Sequence, residues 1–281
     1  MMIVGAYVGF SKLLVAVFPV FLLAWLRFGI AAVAMANWLK RSPDEVPLDR
    51  RTRYLLFLES FIGNFLFSIC MLFGMRHATA ISAGVIMAGI PAAVALLSRL
   101  FLKEQLSLRM IIAIVLGVAG VSVLALSRGG RDEGAASLLG TFLLVGAVFC
   151  EASYVVIGKR LTGKLSPKRI SALINVWGLA LVTPLGIYAA WSFDFAAVST
   201  TIWGGLLLYA LAASMWTVWL WMTGLKTVPA AKAGIFAVFL PITSALVGVI
   251  FLSEAFTLTH ALAFMCALAG VILATWPNAR S

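Results

Sequence analysis

The chain has 281 residues, of which 63% are hydrophobic and only 11% are charged. A soluble domain of this size cannot bury so much apolar surface, because soluble chains carry about a quarter charged residues. The net charge of +11 does not indicate nucleic-acid binding, since the lysines and arginines fall in short clusters between apolar runs, as in the cytoplasmic loops of membrane proteins. The composition therefore predicts an all-α protein embedded in a lipid bilayer.

A membrane-spanning helix needs about 20 apolar residues. That length predicts ten segments, near 2–18, 20–39, 54–75, 79–101, 106–127, 137–158, 170–191, 201–223, 228–252 and 257–276. The first is short, because a full span ending near Pro19 would begin before Met1. We expect a start codon assigned too late, which truncates the first helix; a short helix offset by a thinner bilayer is the alternative.

The basic residues of the connections predict the orientation. Connections 40–53 and 159–169 are rich in lysine and arginine, whereas those near 19, 192–200 and 253–256 have none. The positive-inside rule therefore places both termini in the cytoplasm. Connection 128–136 carries Arg128 and Arg131 beside Asp132 and Glu133, which weakens this orientation without reversing it.

The stretch from 78 to 125 recurs 150 residues later without a gap, so that Pro91 falls on Pro241 and Glu104 on Glu254. This register predicts two repeats, 1–127 with segments 1–5 and 137–276 with segments 6–10. Because five is an odd number of spans, the two halves insert with opposite orientation, as an inverted repeat. We expect Glu104 and Glu254 to cap the helices that follow them.

Four charges lie inside the predicted spans: Lys12, Arg27, Glu59 and Glu151. Such charges are costly in a bilayer and mark a substrate or proton pathway, or an internal pairing. For Lys12 and Arg27 the alternative is snorkelling to the outer headgroups. Glu59 also fits an interfacial acid favoured by the helix dipole. Glu151 lies deepest and lines a cavity or is a buried, hydrogen-bonded acid.

Uncharged residues extend this candidate pathway. Asn64 and Asn175 lie in mid-span, where they line a cavity or bond between helices. Trp216 could stack on a substrate, although packing explains it as well. Pro91 and Pro241 interrupt segments 4 and 9, and matched interruptions predict helix kinks beside a binding site at the midplane, with packing kinks as the alternative.

Catalytic and metal-binding patterns are missing from the sequence. The cysteines lie singly inside apolar runs and form no CxxC pair, and neither histidine belongs to an HExxH element. No nucleotide-binding motif is placed after a strand and before a helix. We therefore predict no enzyme, no metal and no cofactor, and energy drawn from a solute gradient or from protons.

The residues resemble a known family. The chain is similar to the EamA-type members of the drug/metabolite transporter superfamily in two regions. The first comprises the early residues Lys12, Pro19, Arg27 and Phe28. The second is the repeated pattern, whose first copy consists of Ala80, Ala83, Gly84, Pro91, Glu104 and Gly120. The resemblance implies a carrier of the bacterial inner membrane that usually exports amino acids or other small metabolites. It also implies a central cavity lined by segments 1–4 and 6–9, with segments 5 and 10 outside them.

Together these observations predict a secondary transporter that works by alternating access. Its partners would be a small-molecule solute, the lipid bilayer and protons, without nucleic acid, and both a monomer and a homodimer remain open. Multidrug efflux is the alternative substrate class. A channel or a non-transporting membrane scaffold is the alternative outside carriers.

Overall fold

The computed structural model describes residues 2–41, 47–102, 137–227 and 239–275, together with isolated positions between 108 and 123. These residues form helices and connections without a strand, which confirms the predicted all-α class. Four helices, Arg50–Arg76, Leu138–Thr162, Pro167–Trp191 and Thr200–Thr227, are long and apolar enough to cross a membrane. Most of the fifth predicted segment and residues 228–238 lie outside the described residues, so the count of ten stays a prediction.

The helix bounds follow the predicted segments closely. In chain order the helices are α1 Met2–Val17, α2 Val20–Ala34, α3 Arg50–Ser60, α4 Phe67–Arg76, α5 Ala80–Met87, α6 Ile90–Leu102, α7 Leu138–Thr162, α8 Pro167–Trp191, α9 Thr200–Ala210, α10 Thr217–Thr227, α11 Phe239–Phe251 and α12 Leu258–Thr275. A short 3₁₀ turn, Ala36–Leu39, follows α2.

Short polar side chains determine where several long helices begin. Ser137, Ser166 and Ser199 each accept a hydrogen bond from the backbone N–H three residues later, at the starts of α7, α8 and α9. Asp49 caps α3 in the same way, and hydrogen bonds from Thr52 lower the pKa of Asp49 to about 2. Ser166, Ser199 and Asp49 lie in the predicted connections 159–169, 192–200 and 40–53, whereas Ser137 is the first residue of the predicted segment 137–158.

Two helices contain a π-helical turn at corresponding positions. The first turn, Phe61–Leu66, joins α3 to α4, and the second, Leu211–Trp216, joins α9 to α10. The two turns lie 150 residues apart, which is the offset of the sequence repeat. A π turn inserts one extra residue into a helix and occurs frequently at functional sites. The first turn packs against α7 and α8, and the second packs against α1, α2 and α8.

The fourth segment is broken just before its proline. α5 ends at Met87 and α6 begins at Ile90, with Ala88 and Gly89 between them. Pro91 has no N–H to donate to the carbonyl of Met87 four residues earlier, which favours a break at this point. Pro241 lies near the start of α11, and the residues that precede this helix lie outside the described residues.

The predicted capping role of Glu254 is wrong. Its carboxylate oxygens accept hydrogen bonds from the backbone N–H groups of Ala80 at 2.8 Å and Ile81 at 3.1 Å, at the start of α5. The sequence suggested the helix that follows, but Thr257 takes that position by accepting from the N–H of His260. The chain brings the two regions together because α11 packs along both α5 and α1. Glu104 lies outside the described residues.

Glycines allow the closest helix contacts. A Cβ on Gly5 would lie 2.4 Å from the carbonyl oxygen of Leu240, and one on Gly9 would lie 2.5 Å from Val247, so α1 and α11 touch through their backbones. A Cβ on Gly120 would meet the carbonyl oxygen of Ala263 at 3.0 Å, which places this part of segment 5 against α12. These small residues serve close helix packing.

Candidate functional site

A cavity of about 520 Å³ lies between the helices. Its walls come from α1, α2, α4, α7, α8, α10, α11 and both π turns; they include Met2, Tyr7, Arg27, Gly63, Asn64, Phe67, Glu151, Tyr154, Ile174, Ala213, Thr217, Trp221 and Phe239. Most of the lining is apolar, and a few polar groups converge on it. This composition is typical of a small-molecule site.

Arg27 is buried inside the molecule, with 3% of its surface exposed. Its Nη2 donates to Ser68 Oγ at 2.5 Å, and the guanidinium carbon lies 4.3 Å from the centre of the Phe28 ring and 5.9 Å from that of Tyr209. Ser68 Oγ in turn donates to the carbonyl of Asn64 in the first π turn. The guanidinium is therefore held at the cavity wall by neutral groups and does not snorkel outward.

Glu151 faces the same cavity from α7. No described residue donates a hydrogen bond to its carboxylate, and none forms an ion pair with it, since the one ion pair of the described chain joins Lys164 to Asp49. Arg27 and Glu151 thus contribute opposite charges to one cavity without contacting each other. Groups of this kind can bind a solute that carries both an anionic and a cationic group.

Glu59 lies next to the cavity but does not line it. The residue is fully buried, with 0% exposure, and both carboxylate oxygens lack a hydrogen-bond partner. On α7, Gly158 faces the acid so closely that a Cβ there would lie 2.8 Å from Glu59 Oε1. Glu59 is thus enclosed by protein atoms.

The two asparagines have different positions. Asn64 lines the cavity and also donates to the carbonyl of Ile174 at 3.2 Å. Asn175 donates to the carbonyl of Phe28 at 2.9 Å, which joins α8 to α2 beside Arg27, and it is not among the described lining residues. Asn64 therefore serves both the cavity and helix packing, whereas the contact of Asn175 is interhelical.

Lys12, Trp216 and Pro91 are not among the residues that line this cavity. Lys12 donates to the carbonyl of Ala78, near the end of α1 opposite Met2. Trp216 is 39% exposed on the second π turn. Pro91 faces a small gap beside Ala267 and Gly270 of α12. Pro241 is described only by its backbone position in α11.

Comparison with known proteins identifies the family. The model of the EamA-like transporter family matches residues 1–126 and 138–276. The chain belongs to the EamA-like transporter family. The uncharacterized transporter YetK of Bacillus subtilis is 32% identical over 275 residues, covering 97% of this chain and 83% of its own. A second uncharacterized transporter of that organism, YyaM, is 24% identical over 86% of this chain and 80% of its own.

A solved crystal structure, described only as that of a protein, has the same fold as this EamA-like transporter. The TM-score is 0.65 at 17% identity, with coverage of 97% of this chain and 94% of the other. At this identity the likeness concerns the fold alone. The family and the apolar helices together establish a multi-pass membrane protein of a transporter family.

Sequence reasoning about this EamA member missed its tyrosines. Tyr7 and Tyr154 line the cavity, and Tyr7 packs against Tyr209 with ring centres 6.0 Å apart. The hydroxyl of Tyr154 and the indole N–H of Trp221 are buried without a hydrogen-bond partner. Tyr154 follows Glu151 by three residues and so shares its helix face, a signal that was available. Tyr7 gave no such signal, because a lone tyrosine in an apolar run is common.

No metal site is found in the described part of the transporter, since it contains no group of three or more histidine, cysteine, aspartate or glutamate side chains. The cavity walls instead offer one guanidinium, one carboxylate, an amide and hydroxyl groups. These groups can bind, orient and release a polar solute without covalent chemistry.

Proposed function

We propose that this EamA-like transporter is a secondary transporter that exports amino acids or other small organic metabolites by alternating access. The observation that supports this proposal best is the pair of opposite, unpaired charges in one cavity, Arg27 and Glu151. An α-amino acid presents a carboxylate to the first and an ammonium to the second. The apolar remainder of the wall would accept its side chain.

The architecture we propose is two inverted five-helix repeats, 1–127 and 137–276, with ten spans in all. The π turns support it, because they recur at the offset of the sequence repeat and both contribute lining residues, Asn64 from the first and Ala213 from the second. In inverted-repeat transporters, sites at the repeat interface serve as the fixed point around which the halves rock.

The proposed orientation places both termini in the cytoplasm of a bacterial cell, with the protein in the inner membrane. The cavity wall includes Met2 from the start of α1 and Leu225 from the end of α10, which this orientation places at the cytoplasmic side. The opposite ends are closed by packing, where Phe18 lies 5.5 Å from both Phe193 and Trp203. The structure then corresponds to an inward-facing state ready to receive a cytoplasmic solute.

Multidrug efflux is a second candidate, favoured by the largely apolar wall and its aromatic rings. It differs in requiring no carboxylate on the substrate, so that Arg27 would be dispensable. A channel would conduct without saturation, and a scaffold would conduct nothing. A single transport assay distinguishes these alternatives.

The test is counterflow in proteoliposomes that are preloaded with pooled unlabelled amino acids and diluted into a trace of the labelled pool. The wild type should accumulate label transiently and saturably. Glu151→Gln should reduce this uptake by about tenfold or more, since a lost charge-assisted contact costs roughly 1.5–3 kcal/mol. Asp194→Asn in the exposed connection 192–199 is the matched control and should transport normally.

Four results would contradict the proposal. Uptake that does not saturate indicates a channel, and an absence of uptake for amino acids, amines and organic anions alike indicates a scaffold. Normal kinetics in Glu151→Gln would remove this residue from the site. Uptake of cationic drugs with unchanged rates in Arg27→Leu would favour multidrug efflux.

A further inference from the structure

Glu59 lies in a buried site that fits a neutral carboxyl group but not a charged carboxylate. It lies on the last turn of α3, directly before the first π turn. Leu56, one turn earlier on α3, belongs to a buried apolar cluster with Tyr154, Ile174 and Met222, and the side chain of Met222 meets Glu59 at Gly158. Gly158 leaves the space that the carboxyl fills, because any side chain there would start 2.8 Å from Oε1.

A buried acid without partners cannot remain an unaccompanied anion, since taking an isolated carboxylate out of water is far too costly. It must bind either a proton or a metal cation. Cations such as Mg²⁺ or Ca²⁺ take about six or more oxygen ligands, whereas the groups that meet at the Cβ position of Gly158 are Glu59 Oε1 at 2.8 Å and the methyl carbon of the Met222 thioether at 3.0 Å, and Gly158 has no side chain to offer as a ligand. A proton needs no further ligand, so a proton fits this place.

The titratable neighbours of Glu59 allow this assignment. Tyr154 and Glu151 of α7 are the groups that act on it electrostatically, and neither carries a positive charge. The basic residues of the surrounding helices are engaged elsewhere. Lys159 donates to the carbonyl of Leu225, Arg169 donates to that of Leu39, Lys168 lies over the rings of Trp38 and Trp219, and Lys226 is exposed.

Tyr154 connects this place to the cavity. On α7 it lies three residues after Glu151 and four before Gly158, so the three share one helix face. Its ring lines the cavity, and its hydroxyl has no partner. Gly63 of the π turn packs on this ring, since a Cβ there would lie 2.6 Å from Tyr154. A hydroxyl can accept and donate at once, as proton transfer between the acid and the cavity requires.

We propose that Glu59 is a proton-binding site separate from the solute cavity, joined to it through the hydroxyl of Tyr154, and that its loading couples transport to a proton gradient. The proposal rests on the proposed transport function. It divides the work between the two acids: Glu151 contacts the solute, and Glu59 binds the proton. In the sequence repeat, with its offset of 150 residues, Tyr209 of the second half corresponds to Glu59 of the first. Only the first half therefore has an acid at this position.

The experiment compares wild type, Glu59→Gln and Glu151→Gln in two assays with pooled labelled amino acids. Counterflow at equal pH needs no net proton movement, whereas net uptake driven by a pH gradient does. In the wild type a gradient of one pH unit supports up to about tenfold accumulation for one-for-one exchange. Glu59→Gln should keep counterflow within about twofold of wild type and lose the response to the gradient. Glu151→Gln should lose both.

The outcomes separate the two proposals. Gradient-driven uptake in Glu59→Gln that equals wild type overturns the proton site, and so does a joint loss of counterflow and gradient response, because Glu59 would then serve the solute path or the fold. An absence of counterflow in the wild type itself contradicts the transport function. Infrared spectra of the purified protein then test the proton site independently of transport. The C=O band of a protonated carboxyl should disappear in Glu59→Gln and persist in Glu151→Gln. An unchanged spectrum in Glu59→Gln overturns the proposal.

Discussion

Individual residues show how this protein accommodates carboxyl groups among apolar helices. Two glutamates lie directly against glycines. Glu59 faces Gly158, and Glu254 faces Gly248, where a Cβ would lie 2.6 Å from Oε2. The roles differ, because Glu254 accepts two backbone hydrogen bonds while Glu59 accepts none. The absence of a side chain thus decides where each acid can lie.

Gly158→Ala is the direct test of that contact. The new methyl group would also lie 3.0 Å from the side chain of Met222, so both neighbours must shift. Overpacking of this kind should lower the free energy of unfolding by about 1–3 kcal/mol, although alanine is the better helix former. Thermal unfolding in detergent measures the change.

Gly146→Ala on the same helix is the matched control. Its Cβ would meet only Cys70 Sγ at 3.5 Å, an ordinary contact. This variant should be neutral or gain up to about 1 kcal/mol from helix propensity. Equal unfolding temperatures for the two alanine variants would contradict the contact between Gly158 and Glu59.

At this scale the sequence predicted which residues to consider but not their surroundings. Charges within apolar runs identified Lys12, Arg27, Glu59 and Glu151 as candidates, because charge inside a bilayer is costly, and snorkelling or an interfacial position stayed open for the first three. Whether each side chain faces the cavity or a neighbouring helix depends on helix rotation. A rotation of one residue, about 100°, separates the two environments, and an apolar run without a polar face does not specify it.

Among the elements, the π turns and the break in the fourth segment differ in how far the sequence predicts them. The break follows from Pro91, which cannot donate a hydrogen bond. The π turns contain neither proline nor any other breaker apart from Gly63, and their residues have the composition of ordinary helix. Only their separation of 150 residues, the offset of the sequence repeat, relates the two turns. This relation can be recognised only after the structure has shown both of them.

The prediction for the helices concerns the stability of the start of α5. Glu254→Ala should destabilise this helix, because the N–H groups of Ala80 and Ile81 lose a charged acceptor near the positive end of the helix dipole. The expected loss is about 1–2 kcal/mol in thermal unfolding. Glu254→Gln, which keeps one oxygen acceptor, should lose less. An unfolding temperature for Glu254→Ala equal to that of wild type would show that these bonds do not stabilise the fold.

On the scale of the whole molecule, composition predicted an all-helical membrane protein, since apolar length acts through the bilayer and not through specific contacts; the inverted repeat and the orientation stay predictions. The long-range contacts at the start of α5 were not predictable. Glu254 reaches α5 across more than 170 residues of sequence, and Ser244 donates to the carbonyl of Ala80 at 2.7 Å beside it. Such contacts depend on how the two halves pack, which no local pattern specifies.

The orientation of the whole chain is tested by labelling single cysteines in a variant without the three native ones. Arg160 and Asp194 lie beyond opposite ends of α8, whose 25 residues span about 37 Å at a rise of 1.5 Å per residue. A membrane-impermeant maleimide should label Asp194→Cys in intact cells, because the connection 192–199 has no basic residue and belongs outside. Arg160→Cys should react only after the membrane is permeabilised. The reverse pattern would place the termini outside and turn the cavity mouth toward the exterior, so that the same structure would be poised to take up a solute instead of exporting one.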